Sequence, residues 1–313
     1  DIASKRGKKS ALFITNFLVA KDSVLLNSIK ESVNFIYGYC EVGKLDTVRS
    51  LIDGVSDNID FIFLHGDLYK KMDIRRSNTL VFDDRKCWFD SVNSLVQILL
   101  SRHRIERVLL AGDSWLLYKV IDGLGGYALK LEILDSSLTE KGRNLIQAKQ
   151  DLEKIQDISF VSDAGITDCK YDLVISTSVK KEVINGERAE KLNYNLVAID
   201  AGIGGFSREF VTQLYENDSD VYRVDNRSAL SALMLSAVEN IDLVDNVKGE
   251  LNYKGIRVVA GGEMGFQGDV IVDNVSTPSC VIGIADGAGK TLYPPYNEET
   301  LERIDVIEEL IET

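Results

Sequence analysis

Histidine is almost missing from this chain: its 313 residues contain two, His65 and His103. The four cysteines, Cys40, Cys87, Cys169 and Cys280, lie far apart and form no CxxC pair. The ligand spacing of a Cys/His zinc site is therefore absent. We expect no metal site and a reducing compartment, the cytoplasm. Basic residues are in deficit as well. Acids outnumber them 49 to 36, for a formal net charge of −13, whereas neutralising nucleic-acid phosphates takes clustered Lys and Arg; a nucleic-acid partner is not expected. Long apolar runs are also lacking. Stretches such as Val108–Ala111 and Leu196–Ile199 fall far short of the ~18 residues that span a bilayer. The N-terminal stretch shows no apolar signal core, and Lys5, Arg6, Lys8 and Lys9 read as a solvated basic tail, so no membrane partner is expected. Proline is scarce at three residues, while 45% of the chain is apolar and 27% charged. That is the composition of an ordinary globular protein, with enough chain for two domains.

What is present is an alternation of apolar strands and amphipathic helices. Residues 11–18 read as a strand, Asp22 and Ser23 as a helix cap, and Val24, Leu25, Ile29, Val33 and Ile36 fall at helical spacing. A helix over 45–52, strands over 61–64 and 79–82, and a helix over 89–100 follow. The polar stretch 102–106 marks a boundary. Beyond it the pattern predicts strands at 107–111, 128–134, 158–161, 172–176 and 196–200, with helices at about 115–124, 138–154 and 186–192. Past Gly205 it loosens to a helix over 228–237, strands near 255–260, 269–273 and 280–284, and an amphipathic helix over 298–312. The expected fold class is α/β with two domains and mainly parallel, covered sheets. An N-terminal α/β domain covers 1–105, a doubly wound Rossmann-type domain 106–228, and a C-terminal extension with glycine-rich loops 229–313.

The candidate ligand site lies at strand ends. Gly112, Asp113 and Ser114 join the strand at 107–111 to a helix, and Asp135 closes the next strand 23 positions on. Such a turn offers free backbone N–H groups to a phosphate, and an acid about 20 residues later binds ribose hydroxyls. Ser114 and Leu117 stand where a G-x-G-x-x-G fingerprint has its later glycines. The turn alone therefore reads equally as a dinucleotide site and as a plain junction. Two further strands end in small residues, one at Ser176, Thr177 and Ser178, the other at Gly202, Gly204 and Gly205. Those ends leave space for a flat ring or a ribose, the alternative being simple glycine turns. His65, at the carboxyl end of a first-domain strand, is of the residue type that exchanges protons near neutral pH. Gly289, Lys290 and Thr291 lack the first glycine of a phosphate loop. They and the 261–269 block read as a hairpin or a lid over the interdomain cleft, and Cys280 as a structural thiol.

The run Asp172–Ser178, a helix, and then Val197–Gly202 resemble the cofactor domain of the shikimate dehydrogenase and methylenetetrahydrofolate dehydrogenase superfamily. Residues 77–81, leading to Trp88, Phe89 and Asp90 at a helix start, are similar to its substrate domain, so the likeness spans about 77–205. It implies NAD(P) in the second domain, substrate in the cleft between domains, and a C-terminal helix, here 298–312, returning to the first domain. It also implies that Lys44 and Asp90 flank the substrate as a proton-transfer pair. The function expected is an NAD(P)-dependent oxidoreductase, of a biosynthetic kind, acting on a small polar metabolite. NAD is favoured over NADP because Asp135 would repel a 2′-phosphate. Lys44 or Arg223 would meet a carboxylate. Two rivals stand beside it: an S-adenosylmethionine-dependent group-transfer enzyme, whose ligand needs no pyrophosphate glycines, and a non-catalytic ligand-binding or scaffold subunit. A homodimer is compatible with each.

Overall fold

The computed structural model describes residues 7–15, 24–26, 29–74, 76, 78–112, 115–125, 127, 129–153, 158–168, 170–179, 181–192, 195–225 and 227–312. The chain divides into two units, Asp1–Ser231 and Ala232–Thr313. Two parallel sheets make up the first unit. In the first sheet, β1 (Lys9–Thr15), β4 (Phe35–Val42), β5 (Phe61–His65) and β6 (Thr79–Phe82) run parallel in the order β4-β1-β5-β6. Central β1 is buried from Ala11 to Thr15, as a strand covered on both faces must be. On one face Phe13 stacks on Phe63 with ring centroids 4.6 Å apart and meets Phe82 edge-on. On the other, Leu12 and Ile14 pack with Val48 and Ile52 of α1 (Leu45–Val55) and Leu68 of α2 (Gly66–Met72).

The helix expected from Val24 to Ile36 does not form. Short strands β2 (Val24–Leu26) and β3 (Lys30–Glu31) run antiparallel along the outer edge of β4, and Ile36 belongs to β4 itself. Of the periodic apolar residues, Val24, Ile29 and Val33 are exposed, so no core rewards the helical spacing. Pairing with an open strand edge satisfies the backbone instead. The expected cap at Asp22 and Ser23 lies outside the described residues.

The second sheet holds six parallel strands: β7 (Arg107–Ala111), β8 (Lys130–Leu134), β9 (Ile158–Val161), β10 (Leu173–Ser176), β11 (Val197–Asp200) and β12 (Val221–Arg223). Their spatial order is β9-β8-β7-β10-β11-β12. Counted from β7 this is 3-2-1-4-5-6, the doubly wound order of dinucleotide-binding domains. One face packs on Val92, Val96 and Leu99 of α3 (Asp84–Arg102) and on Leu116, Leu117, Val120 and Ile121 of α4 (Trp115–Leu124). The other is covered by Phe206 and by Phe210 and Leu214 of α7 (Arg208–Glu216). Between these helices lie α5 (Glu140–Glu153) and the short α6 (Gly186–Ala189). Each fully buried Leu or Ile contributes about 1.5–3 kcal/mol. Polar groups tie the amino edge. The Asp172 carboxylate accepts the backbone N–H groups of Glu106 and Arg107 at 2.9 Å each, and buried Glu132 takes Arg107, Lys130 and the Tyr171 hydroxyl.

Helix α8 (Arg227–Asp242) leads into the second unit, whose sheet runs β13-β14-β15-β16-β17. Strands β13 (Gly249–Tyr253) and β14 (Ile256–Ala260) are antiparallel, β14 and β15 (Val270–Val272) are parallel, and β16 (Val281–Ala285) and β17 (Thr291–Leu292) continue antiparallel. Residues 261–269 therefore form a crossover between parallel strands, and of the two glycine-rich blocks it is 286–290 that turns a hairpin. Asp269 fastens the crossover, accepting the Phe266 N–H at 2.6 Å and pairing with Arg257. Ile304 and Ile307 of the terminal helix α9 (Glu298–Ile311) pack with Val258, Val270 and Ile284. The α/β class with a Rossmann-type domain stands as expected. The buried apolar residues of the terminal helix, Ile304 and Ile307, pack on the sheet of its own unit. Among the described residues no helix is long and apolar enough to cross a membrane.

Candidate functional site

Strand order reverses between β7 and β10, and the carboxyl ends of these strands meet. The Thr177 N–H donates to Ala111 O at 2.8 Å, and a Cβ on Gly112, whose φ is 116°, would stand 2.6 Å from Ser178 N. β11 joins the same edge. The Ala201 and Gly202 N–H groups donate to Ser176 O at 2.8 and 3.1 Å, and a Cβ on Gly202 would collide with Ser178 O. Gly205 lies as closely against the Ser176 hydroxyl. Asp200 folds back to accept the Gly204 N–H at 2.7 Å. Gly112, Thr177, Ser178, Gly202 and Gly204 thus gather on one edge. The space freed by the missing side chains of Gly112, Gly202 and Gly205 is filled by the neighbouring strand ends. Asp113 and Ser114 lie outside the described residues. Leu117 is buried in the core, whereas Trp115 is exposed, with the Arg85 guanidinium 5.9 Å from its ring centroid.

After β8 a single turn of 3-10 helix, Asp135–Ser137, closes the other flank. Asp135 pairs with Arg143 of α5. The Ser137 hydroxyl donates to Leu134 O at 2.6 Å and accepts the Gly112 N–H at 2.9 Å. Arg188 of α6 ties the loops after three strands, donating to Ser136 Oγ at 3.0 Å, Asp163 Oδ1 at 2.5 Å and Val183 O at 2.6 Å. That guanidinium holds the Asp163 carboxyl below its usual range.

The first sheet ends differently. His65 closes β5, and its Nε2 lies 3.0 Å from Asp84 Oδ1 at the start of α3. Its Nδ1 accepts the Asp67 N–H at 3.4 Å. Tyr39 of β4 lies near Asp84, Glu41 and Cys87. Burial raises its hydroxyl to about 12, the neighbouring acids push the same way, and the Thr15 hydroxyl works against them. Burial, aided by Asp90, likewise raises the Cys87 thiol to about 11. Both stay protonated at neutral pH. Tyr39 is a donor and Cys87 is not a nucleophile. Lys44 is exposed at the start of α1, and Asp90 pairs with Lys86, one turn earlier on α3, at 2.7 Å. The residue brought to His65 is Asp84.

Helix α3 joins the two edges. One turn beyond Asp84, the Trp88 Nε1–H donates to Ala201 O at 2.6 Å, and Arg85 reaches Trp115. Asp84, Ser137, Arg143 and Arg188 were missed by sequence reasoning. The Asp83-Asp84 doublet at the end of a strand was the available signal for the first. The others depend on which loops meet.

No protein-family model and no curated protein matches the chain. Solved structures with a similar fold include a shikimate dehydrogenase in complex with NADP+ (12% identity, TM-score 0.40, covering 69% of this chain and 84% of that one). A quinate dehydrogenase from Corynebacterium glutamicum in complex with NAD matches at 9% identity and TM-score 0.40, over 68% and 87% of the two chains. An anabolic ornithine carbamoyltransferase from Campylobacter jejuni matches at 13% and 0.39, over 74% and 88%. These likenesses are distant.

Proposed function

We propose that this chain is an NAD(P)-dependent oxidoreductase acting on a small polar metabolite held between the carboxyl edges of its two parallel sheets. The observation that carries this reading is the strand order β9-β8-β7-β10-β11-β12. Ligands of open α/β sheets bind outside the carboxyl ends where that order reverses. An adenosine ribose would lie beside Asp135 at the end of β8; the carboxylate favours NAD by repelling a 2′-phosphate, while the Arg143 paired with it would attract one. Thr177, Ser178, Gly202 and Gly204 would line the nicotinamide side. A nicotinamide bound there supplies hydride transfer. This chain's own residues bind, orient and handle the proton.

A second reading has one observation in its favour. The Gly112 N–H, which a pyrophosphate would use, is already held by Ser137 Oγ. A ligand without a pyrophosphate, such as S-adenosylmethionine, leaves that bond intact and would serve group transfer. Thermal-shift titration with NAD, NADP, NADH, NADPH and S-adenosylmethionine separates the two, since a ligand at about 100 times its Kd adds ~2.7 kcal/mol of stability. We expect the nicotinamide dinucleotides to stabilise. Stabilisation by S-adenosylmethionine alone would replace the redox reading with the second. Silence towards every ligand would leave a non-catalytic subunit.

A further inference from the structure

We infer that His65 is the proton-transfer residue of this site and Asp84 its positioning residue, serving a substrate hydroxyl or carbonyl at the carboxyl edge of the first sheet. The inference rests on the oxidoreductase reading and adds to it the proton relay and the substrate class, a small secondary alcohol or ketone.

Geometry supplies the argument. With Nε2 3.0 Å from Asp84 Oδ1, the neutral ring carries its proton on Nε2 and donates it to the carboxylate. Nδ1 is left with a lone pair, which faces the Asp67 N–H at the long distance of 3.4 Å. A substrate hydroxyl that took the place of the Asp67 N–H would meet this lone pair. A carboxylate behind an imidazole fixes both its tautomer and its direction. Location agrees. Asp84 and Trp88 lie four residues apart, on the same side of α3, and Trp88 is bonded to Ala201 at the end of β11. The dyad is thus tied through the first turn of α3 to the strand ends that the reading gives to nicotinamide. The titratable groups around it are Asp84, Asp67 with its Oδ2 4.0 Å from Nδ1, and Tyr39, which lies near Asp84, Glu41 and Cys87.

In the oxidative direction the substrate carbon loses hydride, with its electron pair, to an oxidised nicotinamide dinucleotide. The substrate O–H bond breaks, its proton passes to His65 Nδ1, and a C=O bond forms. The resulting imidazolium lies against the Asp84 carboxylate. Reduction runs the same steps backwards.

His65 also caps α2 through Nδ1, and a purely structural role would stop there. The chain's two histidines allow the roles to be separated. Diethyl pyrocarbonate modification, followed by mass spectrometry, reads each ring, with His103, 3.5 Å from Asp220, as the internal control. Saturating NADH should slow modification of His65 several-fold and leave His103 unchanged. In ring-15N spectra the Nε2–H tautomer of His65 should be lost in Asp84→Asn. With NAD and a panel of small secondary alcohols and 2-hydroxy carboxylates, His65→Gln should lower kcat about a hundredfold or more, with NADH affinity and KM little changed. NADH fluorescence titration of the wild type comes first. No dinucleotide binding there sinks the oxidoreductase reading, and this inference with it. Binding without protection of His65, a tautomer indifferent to Asp84→Asn, or a His65→Gln protein as active as wild type overturns the dyad and leaves the reading standing. If no panel compound is oxidised, protection and tautomer decide the matter.

Discussion

The two parallel sheets end in opposite ways. At the second sheet the strands stop on residues with little or no side chain, and Gly112, Gly202 and Gly205 let backbone touch backbone. At the first they stop among His65, Asp84, Tyr39 and Cys87. One edge is defined by shape and the other by charge, so they should fail differently. The second is vulnerable to added atoms, because a close-packed interior cannot absorb them. The first is vulnerable to protons.

The largest effect should come from Gly202→Ala, whose Cβ would run into Ser178 O. We expect a loss of about 3 kcal/mol or more in denaturant unfolding. A loss below ~1 kcal/mol would mean that the edge is not closed. Next is Ser137→Ala, which leaves the buried Gly112 N–H without its acceptor and should cost about 1–3 kcal/mol. The same change frees that amide for an anion, so inorganic pyrophosphate should raise the melting temperature of the variant more than that of the wild type. Equal shifts would show that Ser137 does not guard the turn. The titration of the other edge is smaller at neutral pH. Tyr39 rises from 10.0 to about 12 and Cys87 from 9.0 to about 11, so the folded state binds both protons more tightly than the unfolded chain. Their stabilisation is complete below pH 9 and is lost as pH climbs through 11 for the thiol and 12 for the phenol. Unfolding followed from pH 8 to 12 should show that decline, with Tyr39→Phe flattening its upper half. An unchanged slope in the variant would place the titration elsewhere. Smallest is Lys86→Ala. Its bond to Asp90 is an exposed i,i+4 pair, and we expect a cost of about 0.3–0.5 kcal/mol. A much larger one would show Asp90 engaged in more than a surface pair.

Legibility in the sequence follows the same division. The strands at 107–111, 173–176 and 197–200 were readable because fully buried parallel strands are short, apolar and end on small or acidic residues. The segment from Val24 to Ile36 was not, since its spacing suits a helix while its fate was set by the open side of β4. Strand β4, with aromatic residues at Phe35, Tyr37 and Tyr39, went unread beyond Ile36. The parallel pairing of β14 and β15 was equally hidden, because a glycine-rich connection of nine residues looks the same whether it turns or crosses over. Of the site, the converging strand ends were anticipated at Ser176–Ser178 and Gly202–Gly205. The partnership of His65 was not, as 19 residues separate it from Asp84 and only the pairing of β5 with β6 brings them together.

Helix α3 has a mechanical consequence. Its 19 residues make a strut about 28 Å long, anchored through Val92, Val96 and Leu99 in the core of the second sheet, although it precedes that sheet in the chain. Its leading turn carries Asp84 to the first sheet and Trp88 to the end of β11. The separation of the two edges is therefore gauged by a continuous rod, and under the proposed reading that rod would set the width of the gap a reactant has to suit.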